Sequence, residues 1–145
     1  MSSDRFLTFQ VCDDIRMEVG NKFSLIGCYP GNPIYVNPIP SAFPKLCVVA
    51  SAYTPPDRPF SKLVLRIAKD DKPVAELPID PEALKSAAVA RDGVHRFAAV
   101  GMIIMSPFPV EAPMKLRVEA DTEDGVLLGG HIWIEQPPPS SVPQS

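Results

Sequence analysis

Eighteen of the 145 residues are proline, about one in eight, and they recur along most of the chain. Proline lacks an N–H and has a fixed φ, so it is barred from helix interiors and from central strands. A chain punctuated this way is not a bundle of long helices. It has to be built from short elements joined by proline-bearing loops. A length of 145 residues fits one domain. A chain of that size buries roughly 70% of its unfolded surface, so it needs neither metal nor disulfide to fold.

Between the prolines, hydropathy alternates with the period of a strand. Along residues 6–19, Phe9, Val11, Ile15, Met17 and Val19 fall on one face, and Gln10, Cys12, Asp14, Arg16 and Glu18 on the other. Asp13 is the exception, a carboxylate on the apolar face. A helix would set Asp14 and Glu18 at i,i+4, an unfavourable like-charge pair. Gly20 and Asn21 tolerate positive φ, so Phe23–Tyr29 is predicted to run back as the second arm of a hairpin. Residues 29–44 hold Pro30, Pro33, Pro38, Pro40 and Pro44 and read as an extended loop, with at most a short edge strand at Ile34–Val36. Lys45–Tyr53 is almost continuously apolar, as a strand covered on both faces would be.

Further strands are predicted at Ser61–Lys69, Val74–Leu77, Arg96–Ser106, Met114–Ala120 and Val126–Glu135. One helix is predicted over 81–91, with Asp80 as cap, Pro81 in the first position, Glu82 in the first turn and Gly93 as the stop. Seven or eight strands, with turn signals about every 8–12 residues, point to an all-β, antiparallel two-sheet sandwich of immunoglobulin-like arrangement. No Cys…Trp…Cys framework is present, so this is not a true immunoglobulin domain. Residues 1–135 read as the single sandwich domain. Residues 136–145 (QPPPSSVPQS) lack the apolar content to pack and read as a disordered, proline-rich tail.

The charge pattern excludes several functions. The net charge is −3 and the lysines and arginines are scattered, whereas a phosphate-binding surface clusters them. No nucleic-acid partner is expected. The longest apolar run, Phe97–Met105, is nine residues, against about twenty for a spanning helix. Met1–Gln10 has no apolar core of a signal peptide. The expectation is a cytoplasmic protein with no membrane partner. Cys12, Cys28 and Cys47 are odd in number and form no C-x-x-C pair, which fits reduced thiols.

Asp13, Asp14, Arg16, Glu18 and Lys22 form the densest polar group and are the candidate interaction face. Three carboxylates on one short segment do not supply the six to eight oxygens that calcium takes, so no metal is expected. In the plain structural reading, Asp14, Arg16 and Glu18 are a solvated, charge-paired strand face. Asp13 is then a bulge or turn residue meeting Arg16, Lys22 or backbone N–H groups. His95 and His131 are the only histidines. No G-x-S-x-G or H-E-x-x-H motif accompanies them, and His131 is expected half-buried beside Trp133. Asp121–Gly125 reads as a hairpin turn, because Gly125 falls one position too early for a calcium loop. Gly129-Gly130 reads as a bulge or a close strand approach. The PPP tract could suit an aromatic groove, but reads as a solubilising tail.

The segment VCDDIRMEVGNKFSLIGCYP, Val11–Pro30, resembles the N-terminal signature of a family of small, uncharacterised bacterial and phage proteins. The positions that carry it are Cys12, Asp13, Arg16, Gly20, Lys22 and Ser24, then Leu25-Ile26-Gly27 and Tyr29, followed by Phe43-Pro44 before an apolar strand. The match covers about the first third of the chain. The resemblance implies a β-sandwich and supplies no activity. The reading is a non-enzymatic interaction or accessory module, with a phage or mobile-element setting implied by the resemblance alone. No catalytic residue or cofactor is assigned, and the partner is another protein or a second copy. The alternatives are a self-associating assembly subunit, or a small enzyme in which Cys12, Asp13 or Asp14 meets a histidine in space.

Overall fold

The structure, a computed structural model, describes residues 4–87, 93 and 95–139. It begins with β1 (Phe6–Glu18), β2 (Lys22–Cys28), β3 (Ile34–Tyr35) and β4 (Ser41–Phe43). Then come β5 (Leu46–Thr54), β6 (Leu63–Lys69), β7 (Lys72–Pro78) and α1 (Pro81–Ala87). It ends with β8 (Phe97–Met105), β9 (Phe108–Val110), β10 (Met114–Thr122) and β11 (Gly125–Glu135).

Two sheets face each other, one ordered β2-β1-β5-β8 and the other β3-β11-β10-β6-β7. The chain crosses to the second sheet at β3 and returns for β5, passes over between β5 and β6, returns between β7 and β8, and crosses a last time before β10. This is an all-β sandwich with the alternation between sheets of an immunoglobulin-like fold. The eight long strands are those the hydropathy predicts. β3 is the anticipated edge strand, and it pairs parallel with β11. β4 and β9 pair with each other as a separate ribbon. Sequence reading misses them because Pro44, Pro107 and Pro109 interrupt any alternation. Pro73 and Pro78 fall in β7, an edge strand, where a missing N–H costs least.

The core lies between the sheets. Leu46, Val48, Ala50 and Ala52 of β5 face Leu63, Leu65 and Ile67 of β6, Leu116, Val118 and Ala120 of β10, and Ile132 and Ile134 of β11. Phe60 is the largest fully buried side chain. Each Leu, Ile, Val or Phe among them contributes about 1.5–3 kcal/mol by leaving water. α1 adds Leu84 to this core. Its N-terminus is capped as predicted, with the Glu82 N–H donating to the Asp80 carboxylate at 3.1 Å. The predicted helix residues 88–91 lie outside the described residues. Gln136–Pro139 carry no strand or helix, and the rest of the predicted tail also lies outside.

The hairpin departs from prediction in one respect. β1 pairs with β5 over Phe6–Cys12 and with β2 over Cys12–Glu18. Its contribution to the core ends at Val11. Beyond that point the alternation continues without a layer beneath it. Met17 is 65% exposed and Val19 93%, although the alternation places both on the buried face. Gly20 and Asn21 take positive φ, 91° and 59°, as the turn requires. The Gly129-Gly130 expectation is met in both of its forms. The β10–β11 register shifts between Val118 and Glu119, and a Cβ on Gly129 would lie 3.0 Å from the Leu7 side chain.

Candidate interaction face

Antiparallel pairing places side chains from neighbouring strands in rows across a sheet. On the outer face of the four-stranded sheet, β1, β5 and β8 build four such rows. They are Phe6–Tyr53–Ala98, Thr8–Ser51–Val100, Gln10–Val49–Met102 and Cys12–Cys47–Ile104. None of these twelve side chains carries a charge. Val100 is 46% exposed and Ile104 54%. The Phe6 and Tyr53 rings stack at 4.7 Å. β2 extends the field with Cys28 beside Cys12, and with Ile26.

Charge gathers at the two ends of this field. At one end the Lys45 ammonium meets the Asp14 carboxylate at 3.0 Å. Arg16 pairs with Glu18 at 3.0 Å, and the Ser24 hydroxyl donates to Glu18 at 2.6 Å. The bond from Lys45 holds the Asp14 carboxyl below its ordinary pKa, and the bonds from Ser24 and then Arg16 do the same for Glu18. At the other end Arg58 pairs with Asp4 at 2.8 Å, and the Arg96 guanidinium lies over the Phe6 ring at 5.2 Å.

The five candidate residues therefore divide. Asp14, Arg16 and Glu18 share the outer face, paired as the plain structural reading expects. Lys22 stands opposite Glu18 in the register. Asp13 points the other way and accepts a 2.7 Å hydrogen bond from the Tyr29 hydroxyl. Its partner is neither Arg16 nor Lys22, and the β1–β2 register passes through it without a shift, so it is not a bulge. Burial, then the bond to Asp13, raises the Tyr29 pKa well above its ordinary value. Gly27 makes room for this: its φ is +69°, and a Cβ there would come within 2.4 Å of the Asp13 carboxylate.

The outer face of the five-stranded sheet is built on opposite principles. Arg66 of β6 binds Glu76 of β7 at 2.8 Å and Glu119 of β10 at 2.7 Å. Arg117 closes on the other oxygen of Glu119, and Lys62 pairs with Asp121 at 3.1 Å. Burial raises the Glu119 pKa, but the bonds from Arg117 and Arg66 outweigh it and leave the carboxyl below its ordinary value. Lys115 covers the Trp133 ring at 4.9 Å. Beside this ladder of ion pairs, β11 leaves Val126, Leu128 and Trp133 exposed on the same face.

The sequence alone does not reveal that the three cysteines form one row. Cys28, Cys12 and Cys47 stand on adjacent strands, in register, as free thiols. Burial, reinforced by Cys47 and Cys28, pushes the Cys12 thiol up to about 11, and burial also raises Cys47. Cys12 was expected on the polar face of β1 and is instead fully buried. Among the described residues, no three His, Cys, Asp or Glu side chains are grouped to hold a metal ion. His131 lies beside Trp133 at 6.5 Å, on the far side of the sandwich from Cys12 and Asp14. A cavity of 240 Å³ between β1 and the 29–34 loop is lined by Phe9, Val11, Tyr29, Asn32, Ile34 and Ile132, among others. Its one titratable side chain is Tyr29. Asp121–Gly125 is the predicted hairpin turn, closed by the Thr122–Gly125 pair. Among the described residues no helix is long and apolar enough to cross a membrane. No protein-family model matches the chain, and no curated protein is similar to it.

Proposed function

We propose that this chain is a non-enzymatic protein-interaction module whose contact surface is the outer face of the four-stranded sheet. The observation that carries the reading is the contrast between the two outer faces. One carries a charged, hydrogen-bonded ladder along β6 and β10 beside the exposed Val126, Leu128 and Trp133 of β11, while the other has twelve uncharged positions along β1, β5 and β8 with charge only at its ends. Its middle rows hold Thr8, Ser51 and Gln10 beside Val100, Val49 and Met102, and a centre depleted of charge within a charged rim is the anatomy of an interface. The group Asp14, Arg16 and Glu18, with Lys22 beyond it, is then the rim of the surface rather than its centre. Three neighbouring free thiols fit a reducing compartment such as the cytoplasm, and the likeness of Val11–Pro30 to bacterial and phage proteins supports a setting of that kind.

The test is affinity capture with four versions of the chain, each shown to be folded by circular dichroism. They are wild type, Val100→Lys with Ile104→Lys, Asp14→Lys with Glu18→Lys, and Leu128→Lys on the opposite sheet. A protein retained by wild type and by Leu128→Lys, but lost from Val100→Lys/Ile104→Lys, is expected. The rim variant should weaken retention less than the central one. The same retained set for all four would overturn the reading.

A further inference from the structure

We infer that Cys28 and Cys12 form a site of oxidative modification: a hydroperoxide oxidises the exposed Cys28 thiol, and Cys12 captures the product as a disulfide across β1 and β2. This chemistry needs no docked partner, so it stands or falls apart from the contact surface.

Register brings the two thiols together. Cys12 of β1 stands opposite Cys28 of β2. The Tyr29 N–H donates to the Val11 carbonyl at 2.9 Å, just outside that pair. Ladder bonds that flank a pair, rather than join it, mark the close kind, with Cα atoms about 4.5 Å apart against about 5.5 Å for a bonded pair. A disulfide needs Cα atoms about 4.4–6.8 Å apart and Cβ atoms about 3.5–4.5 Å apart. Directly opposed Cβ atoms reach that range in pairs of the close kind. Cys47 of β5 stands on the other side of Cys12. A strand residue points its N–H and C=O to one side. Those of Cys12 turn away from β2 and towards β5, so Cys12–Cys47 is the wider, bonded pair.

Exposure sets the order of events. Cys28 is exposed, whereas Cys12 and Cys47 are buried, so peroxide meets Cys28 first. The Cys28 thiolate attacks one oxygen of hydrogen peroxide and the O–O bond breaks, leaving a sulfenic acid on Cys28 and one water. The Cys12 thiolate then attacks the Cys28 sulfur, the S–O bond breaks, and hydroxide leaves as a second water. Two thiols lose two electrons and two protons in all, and one peroxide becomes two waters. Cys12 gives up a weak hydrogen bond to the Asp14 carbonyl, at 3.4 Å, as it turns to Cys28. Burial, reinforced by Cys47 and Cys28, holds the Cys12 thiol at about 11, so thiolate is scarce near neutral pH and the second step is the slow one.

The place of the bond gives it a consequence. Cys12 is the last β1 residue paired with β5, and the strand beyond it pairs with β2 alone. A Cys12–Cys28 bond ties β2, an edge strand, to the sheet at the base of that projecting arm. The Cys28 sulfur stays open to attack by a small thiol, so the change is reversible.

The experiment treats the full, reduced chain with hydrogen peroxide in small molar excess. Free thiols are then blocked with N-ethylmaleimide under denaturing conditions, and tryptic peptides are read by mass spectrometry without reduction. Cuts after Arg5, Arg16, Lys22 and Lys45 leave each cysteine on its own peptide. The expected product is the Cys12 peptide joined to the Cys28 peptide, released again by dithiothreitol, with Cys47 blocked. Cys12→Ser should give no joined peptide and should leave a Cys28 sulfenic acid that dimedone traps. Cys12→Ala is the second variant in case Cys12→Ser does not fold by circular dichroism. Cys47→Ser should join Cys12 to Cys28 as wild type does, and Cys28→Ser should leave Cys12 and Cys47 reduced at the same dose. A wild type whose Cys28 stops at sulfenic acid or passes to sulfinic acid while Cys12 stays free overturns the inference. So does a main product that joins Cys12 to Cys47, or Cys28 to Cys28 of another chain. So do three thiols that stay reduced under a dose that oxidises free cysteine.

Discussion

Arg5 offers the sharpest test of how the sandwich is held together. Its side chain is 4% exposed. Its Nε donates to the Thr54 hydroxyl at 2.9 Å, and its terminal nitrogens reach Glu123 at 2.8 Å, Asp124 at 2.9 Å and the Arg58 carbonyl at 2.9 Å. The guanidinium also lies over the Phe60 ring at 4.4 Å. One side chain thus ties the start of β1 to the end of β5, to the loop after it and to the β10–β11 turn. Replacing it with Met keeps the apolar stem and removes every bond. The partners are not all orphaned. Thr54 still donates to the Arg58 carbonyl at 2.7 Å, and Glu123 still accepts from the Ser61 and Lys62 N–H groups at 3.2 and 3.3 Å. Asp124, more than half exposed, rehydrates. What is lost is the half-buried Glu123 pair and the desolvated contact with Phe60, each worth about 1–2 kcal/mol. A total of about 2–4 kcal/mol corresponds to a fall in Tm of roughly 6–12 °C for a chain of this length. Burial pushes the Glu123 carboxyl up, but Arg5 and nearby N–H groups bring it below its ordinary 4.5. A depressed carboxyl stabilises the fold above the unfolded pKa, and the gain is lost as pH falls through the folded one. The gap between wild type and Arg5→Met should therefore be flat from about pH 7 to 5 and narrow below about 4.5. Thermal melts across that range decide it. A variant within 2 °C of wild type at pH 7, or a gap that widens in acid, would refute the argument.

Other positions give independent checks. Gly27→Ala places a Cβ at positive φ against the Asp13 carboxylate and should cost about 1–3 kcal/mol in denaturant melts. Asp13→Ala in that background should recover part of the loss by removing the clash. Glu119→Gln removes the charge shared by Arg66 and Arg117, while Arg66 keeps Glu76 and Asp121. A loss of about 2–3 kcal/mol is expected in urea titration, below the cost of stranding a buried charge outright. Iodoacetamide should label the exposed Cys28 first. At pH 8 a thiol at about 11 is about 0.1% thiolate, so Cys12 should lag and speed up roughly tenfold per pH unit to pH 10, as read by peptide mass spectrometry. Asp14→Asn and Glu18→Gln should leave Tm within about 2 °C, because exposed ion pairs contribute little.

What was legible in the sequence was what local pattern can encode. Leu63, Leu65 and Ile67, or Leu116, Val118 and Ala120, announce their buried faces by alternation, and Asp80-Pro81-Glu82 announces the start of α1. The arm of β1 beyond Asp13 shows the limit. Ile15, Met17 and Val19 alternate as regularly as Phe9 and Val11, but burial depends on whether a second layer lies beneath, and that is a property of strand pairing. The cysteine row is invisible for the same reason. Positions 12, 28 and 47 become neighbours only once β1 is known to pair with both β2 and β5. Arg5 and Glu123, at opposite ends of the chain, meet only after the whole sandwich closes. Asp13 is rightly singled out as needing a partner, and the donor is Tyr29, at the far end of the predicted second arm rather than one of the nearby cations.

The continuous apolarity of Lys45–Tyr53 calls for cover on both faces, and β5 is buried on both over Leu46–Ala50, with Ser51 and Tyr53 half-buried on the outer side. The inner positions of β5, Leu46, Val48, Ala50 and Ala52, already complete the core. Its outer positions, Cys47, Val49, Ser51 and Tyr53, do nothing for that core, and neither do Ala98, Val100, Met102 and Ile104 of β8. A sheet that needs only to face water is served by the pattern of β10, where Lys115, Arg117 and Glu119 alternate with buried neighbours. Both solutions occur in this one chain, on strands of equal length, nine residues each. The difference therefore does not lie in what a strand requires in order to form. It lies in how each outer face is built: paired charges along β6 and β10 on one side, and on the other uncharged side chains packed so that Cys47 and Val49 of β5 are buried.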